Sequence, residues 1–215
     1  MKKTISLVFV LIVSVAICAG AFATDYYIEN YNVSVNVGNN AVHKVLETIQ
    51  FDFQNPRHGI YREIPYDYTD YNGVEARITH LNCSDPYETE RSSGDLVMRR
   101  GSEDTTVYGR KTYEISYDYD LYADSNEGYY EFYFNILGAG WECPVGNVTF
   151  SIRIPYVEGY DLASVLNGNV WFSRGSYGST ASSGVTYRIE MQSDGSAVIS
   201  GSASSFAPYE ALTLR

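Results

Sequence analysis

The stretch Phe51 to Pro65, FDFQNPRHGIYREIP, decides how the rest of this chain is read. It opens as the end of an alternating run in which Val45, Glu47, Ile49, Phe51 and Phe53 share one parity. Asn55 and Pro56 turn the chain, and a second extended run resumes at His58. Successive side chains of a strand point to opposite faces, so Ile60, Arg62 and Ile64 fall on one side and Gly59, Tyr61 and Glu63 on the other. A guanidinium therefore stands between two isoleucines on an apolar face, and the same parity sets Glu47 between Val45 and Ile49. A lone buried charge is costly, whereas a hydrogen-bonded pair is tolerated. The sequence thus predicts that Arg62 and Glu47 meet, either as a structural pair that fixes register or as the polar floor of a ligand cleft.

Working outward, the chain reads as strands separated by polar punctuation. Val33, Val35 and Val37 alternate, and Gly38-Asn39-Asn40 turns that strand into Ala41 to Phe53 as a hairpin. Tyr66 to Gly73 is a tyrosine and aspartate loop, Val74, Ala76, Ile78 and His80 mark a further strand, and Thr89 to Gly94 reads as a polar turn. Leu96 to Met98 and Thr105 to Tyr108 read as short strands. Tyr113, Ile115, Tyr117, Tyr119 and Leu121 alternate cleanly, and Asp124 to Gly128 is an acidic turn. Phe132, Phe134 and Ile136 alternate until Gly138-Ala139-Gly140-Trp141, and Val148, Phe150, Ile152 and Ile154 resume up to Pro155. Four weaker strands follow, with one helical turn at Tyr160 to Leu166. Many short strands rich in β-branched and aromatic residues predict an all-β, antiparallel β-sandwich, with a closed barrel as the other architecture. No repeat and no compositional break divides residues 24–215, so they read as a single β-sandwich domain; two sub-lobes meeting near residue 155 are the alternative division.

The N-terminus reads as a signal peptide over residues 1–23. Lys2 and Lys3 are followed by an apolar run from Ile5 to Ile17 and by Ala21-Phe22-Ala23, with small residues where a signal peptidase reads. About 13 apolar residues is short for a bilayer that needs roughly 20. Cleavage leaves 192 of the 215 residues, enough to bury a sizeable core, and 13 basic against 26 acidic residues. That surplus of carboxylates argues against nucleic acid and anionic lipid as partners, since both reward clustered Lys and Arg. Two cysteines survive, Cys83 and Cys143. In an exported protein they are a candidate disulfide, worth about 4 kcal/mol for a loop of roughly 60 residues, and two unpaired thiols are the alternative.

No catalytic constellation stands out. His43, His58 and His80 are scattered without metal-ligand spacing, Gly175-Ser176-Tyr177-Gly178 lacks the spacing of a nucleophile elbow, and no phosphate-cradling glycine loop occurs, so no metal or cofactor is expected. His58, Tyr61, Arg62 and Glu63 form a binding candidate, with Trp141 exposed at a rim after two glycines. The 21 tyrosines suit sheet packing and flat recognition surfaces alike.

Four segments together resemble a known family: LETIQFDF at 46–53, HGIYREIP at 58–65, YEISY at 113–117 and GAGWECPV at 138–145. They are similar to the N-terminal part of the domain of unknown function 2207 family of predicted membrane proteins. The resemblance implies an exported β-sandwich followed by transmembrane helices, and it brings no known activity. The chain departs from that layout in stopping at Arg215 without a later apolar segment, and so reads either as a fragment of a longer anchored protein or as a shortened secreted form; the membrane tether is expected from the family and absent from this stretch. The reading is an exported, non-catalytic recognition or structural module at the cell envelope, with an envelope protein or glycan as partner. The alternatives are a sugar-binding module and an envelope-glycan hydrolase acting through carboxylates near Glu63, Glu131 and Glu142.

Overall fold

The computed structural model describes residues 24–68, 74–121 and 131–215; the signal-like segment 1–23, most of the 66–73 loop and the acidic turn 124–128 lie outside the described residues. In chain order the strands are β1 (Tyr26–Asn36), β2 (Val42–Arg57), β3 (Gly59–Pro65), β4 (Asp67–Tyr68), β5 (Val74–Glu75), β6 (Arg77–Cys83), β7 (Tyr87–Ser92), β8 (Asp95–Gly101) and β9 (Val107–Asp120). They continue with β10 (Phe134–Leu137), β11 (Val145–Ile154), β12 (Phe172–Gly175), β13 (Val185–Met191), β14 (Ala197–Phe206) and β15 (Ala211–Leu214). Between β11 and β12 lies a short helix α1 (Leu162–Leu166), whose first turn is capped by Asp161 accepting from the Ala163 N–H at 3.1 Å. The fold is all-β.

A seven-stranded sheet in the order β13-β14-β11-β1-β2-β9-β6 forms one layer. Its inner face carries the predicted alternation: Val33 and Val35 from β1, Val45, Ile49, Phe51 and Phe53 from β2, and Tyr113, Ile115, Tyr117 and Tyr119 from β9 are all buried. Two three-stranded sheets, β10-β15-β12 and β3-β8-β7, lie over that face. Phe134 of β10 packs on Tyr119 of β9 with ring centroids 6.4 Å apart, and Phe172 of β12 on Phe150 of β11 at 5.3 Å. Strands after Pro155 join both layers, β13 and β14 in the large sheet and β12 and β15 in its cover.

Four expectations are corrected. β1 and β11 pair in parallel, Val33 opposite Phe150, so the large sheet is mixed; strands more than a hundred residues apart are free of the hairpin constraint that forces antiparallel pairing. Thr89 to Ser92 belongs to strand β7 and the turn shrinks to Ser93-Gly94, because this edge strand is exposed on both faces and shows no alternation. Thr105 to Tyr108 holds no separate strand; β9 starts at Val107. The turn at Asn55 and Pro56 is an irregularity inside β2, whose pairing with β9 skips from Phe53 to Arg57.

The reversal from β2 to β3 is set by glycine. Gly59 of β3 faces Gly101 of β8, with φ of +141° and +138°. A Cβ on Gly59 would stand 1.8 Å from the Arg100 carbonyl oxygen, and one on Gly101 1.7 Å from that of His58. Only a residue without a side chain fits either position. The glycine after His58 is thus a packing requirement that aims Arg62 at the large sheet.

Candidate functional site

β2 and β3 bring Glu47 and Arg62 face to face across the two layers. Arg62 Nε donates to Glu47 Oε2 at 2.8 Å and Nη2 donates to Oε1 at 2.6 Å, a bidentate pair of which both members are buried. The Tyr117 hydroxyl donates to Glu47 Oε1 at 2.9 Å, and Arg62 Nη1 donates to the Glu63 carbonyl oxygen. The Trp141 ring flanks the guanidinium, its centroid 5.7 Å from Cζ. Burial alone would make Arg62 shed its proton more readily, but the Glu47 carboxylate and the Tyr31 hydroxyl hold its proton affinity above the ordinary arginine value. Burial pushes the Tyr31 and Tyr117 phenols up, and Glu47 adds to the shift of both. The pair is a closed charge-assisted latch between layers, with its polar atoms directed at one another.

Above the latch lies a looser acidic group. Glu63, on the outward parity of β3, is raised by burial and by the negative charges of Asp95 and Glu142; Asp95 is raised by burial, with Arg62 opposing. The loop after β10 crosses close by: a Cβ on Gly140 would stand 2.6 Å from Glu63 Oε2, the mobile end of that side chain. Glu131 lies elsewhere in an ion pair with Arg215, apart from the Glu63 group.

The other sequence-predicted residues separate. Tyr61 is exposed on β3. His58 turns Nδ1 toward the carbonyl oxygens of Ser102 and Thr105 at 3.0 and 3.1 Å, so this nitrogen is the protonated one and donates to the loop after β8. Trp141 is 5% exposed and packs edge-on against Tyr31 and Phe51, so the indole belongs to the core and not to a rim. Cys83 and Cys143 are both free thiols. Cys83 sits on β6, whereas Cys143 precedes β11, four places along the sheet order; at about 4.8 Å per strand that is roughly 19 Å, far beyond disulfide reach. Burial pushes the Cys143 thiol up to about 12.

Two features escaped the sequence reading. Arg100 is a second buried cation, 4% exposed, stacked 3.9 Å over the Tyr113 ring and paired with Asp85, which also takes Lys111 at 2.8 Å. Its signal was parity, since Met98 and Arg100 alternate on β8 as Ile60 and Arg62 do on β3. The second is the outer face of the large sheet, a broad amide and hydroxyl surface. Asn147 Nδ2 donates to Asn30 Oδ1 at 3.4 Å and Asn30 Nδ2 to Gln50 Oε1 at 2.7 Å, a ladder across β11, β1 and β2. Beside it, Thr149 donates to Asn32. Two shallow open depressions lie on this face, one of about 240 Å³ between Asn32, Thr48 and Thr149, the other of about 410 Å³ between Asn147, Thr186 and Ser202.

A seven-stranded sheet covered by two smaller ones, with a latched ion pair at the seam, defines a β-sandwich domain. The chain belongs to the DUF2207 family: the description "Predicted membrane protein (DUF2207) N-terminal domain" matches residues 27–205. No curated protein matches it in sequence. Among solved structures it is similar to the M1 zinc metallopeptidase from Deinococcus radiodurans, at 8% identity and a TM-score of 0.47, covering 88% of this chain and 42% of that one. It is also similar to a putative protease from Parabacteroides distasonis, at 11% identity and a TM-score of 0.47, covering 88% and 40%. The chain thus spans less than half the length of these structures. Among the described residues no three of His, Cys, Asp and Glu are grouped to hold a metal ion, and no helix is long and apolar enough to cross a membrane.

Proposed function

We propose that this protein is exported and works outside the cytoplasmic membrane as a non-catalytic recognition or structural module, with an envelope glycan or protein as partner. The observation that carries this reading is the outer face of the large sheet. Neutral amides and hydroxyls from Asn32, Thr48, Asn147, Thr149 and Ser202 stand on adjacent strands without a covering layer among the described residues. Side chains of this kind supply adaptable hydrogen bonds to a neutral polar ligand. The charged residues of the HGIYREIP segment support the same reading from the other side, because Arg62 is engaged by Glu47 and serves the architecture.

The test is co-sedimentation of the purified protein with envelope polysaccharides, comparing wild type with Thr149→Arg/Ser202→Arg. Retention of wild type and its loss in the variant, at unchanged thermal stability, supports the module. The raised pair Glu63 and Asp95 beside Glu142 favours one second reading, glycan hydrolysis. Release of new reducing ends from the polysaccharide, abolished by Glu63→Gln, would replace the first reading with that one.

A further inference from the structure

We infer that β13 is a self-pairing edge through which two copies of this chain join their large sheets into one. The two edges of the seven-stranded sheet differ. β6 is guarded: its pairing with β9 is interrupted between Thr79 and Asn82, and His80 adopts φ +51° within it. Bulges of this kind twist an edge away from strand addition. β13 has no such protection. Its seven residues pair with β14 without interruption, Val185 opposite Ala203 through Met191 opposite Ala197, and among the described residues no strand lies on its other side. It has no proline to interrupt a further ladder.

The side chains of β13 select the partner and the register. Tyr187 and Met191 stand on the inner parity, 44% and 45% exposed at the rim of the core, with Ile189 half-buried between them. Arg188 and Glu190 stand on the outer parity, exposed, with Arg188 Nε 3.1 Å from Glu190 Oε1. Paired residues of an antiparallel ladder point to the same face, so a twofold axis normal to the sheet passes through a residue that faces itself. An axis at Arg188 opposes two guanidinium groups, and one at Glu190 opposes two carboxylates. An axis at Ile189 sets Arg188 against Glu190 of the partner subunit twice, and Tyr187 against Met191 of the partner subunit twice. Charge and apolar contact are satisfied in that one register, so the edge is complementary to itself.

Sedimentation velocity of the full chain, from low micromolar to near-millimolar concentration, tests this. Wild type is expected to show a monomer–dimer equilibrium. Arg188→Glu alone or Glu190→Arg alone places like charges opposite one another twice and weakens the dimer by about tenfold or more. The double swap Arg188→Glu/Glu190→Arg restores opposite charges and returns the dissociation constant to about threefold of wild type or less. Circular dichroism melts that match wild type show that each variant is folded. A wild type that stays monomeric throughout, a dimer untouched by both single changes, or a double swap no tighter than the singles each overturns the inference.

Discussion

Removing one member of the Arg62–Glu47 pair leaves the other as a buried, uncompensated charge. Arg62 is 6% and Glu47 1% exposed, so neither can reach water without opening the seam. Loss of one partner of such a pair costs roughly 3 to 5 kcal/mol. Arg62→Met and Glu47→Leu should each fall in that range, lowering the melting temperature by about 2 to 4 °C per kcal/mol for a chain of this size. The double variant behaves differently, because no charge remains buried. What it leaves unpaired is the Tyr117 hydroxyl and the Glu63 carbonyl, which bond to Glu47 and Arg62, at about 1 to 3 kcal/mol for an orphaned polar group. The double variant should therefore be at least as stable as either single one, with a coupling energy of several kcal/mol in the cycle. Urea denaturation of the four proteins measures it. Additive losses, or single variants within about 1 kcal/mol of wild type, would refute the reasoning.

Further outcomes follow from the same contacts. His43 is buried, and its Nδ1 accepts the Gly38 N–H at 3.3 Å, so burial lowers its pKa to about 4 from an ordinary 6.5. A depressed histidine contributes stability that is complete above pH 6.5 and is lost as pH falls toward 4, by about 3 kcal/mol in the limit; proton NMR of the ring should show the low midpoint, and a midpoint near 6.5 would contradict it. Burial pushes Tyr26 up to about 12 and also raises Tyr113, Tyr31 and Tyr117. Raised phenols stabilise the fold fully below pH 10 and progressively less as pH climbs toward 12, so absorbance at alkaline pH should resolve a set of tyrosines that ionise only as the sheet unfolds. Cys83 is half-buried and Cys143 buried with its thiol raised, so a thiol reagent should modify Cys83 in the native protein and Cys143 only in denaturant, as peptide mapping of the labelled sites would show. Gly101→Ala, which would set a Cβ against the His58 carbonyl, should cost about 3 kcal/mol or more in unfolding free energy.

The buried polar pair was legible because parity is a local property. Glu47 lies at an inward position of β2 and Arg62 at one of β3, and each stood out as a charge in an aliphatic row. Tyr117 was legible as a core residue of β9, but its hydroxyl bond to Glu47 depends on which strand lies opposite, and no local pattern records that. The same limit hid the parallel pairing of β1 with β11 and the division of the covering layer into two sheets. Trp141 misled because flanking glycines usually mark an exposed loop; here the indole packs edge-on against Tyr31 and Phe51 in the core, contacts that no local pattern records. The outer face of the large sheet was present in the sequence as alternating Asn, Ser and Thr, a pattern that reads as ordinary solvated strand until the strands are laid side by side.

The latch at the seam is open to direct observation by nitrogen-15 NMR of the arginine side chains at neutral pH. A guanidinium held by a buried carboxylate should give an Arg62 Nε–H signal that exchanges slowly with water, shifts in Glu47→Gln, and persists at high salt, where surface pairs are screened. An Arg62 signal averaged with those of the exposed arginines, and indifferent to Glu47→Gln, would contradict the account.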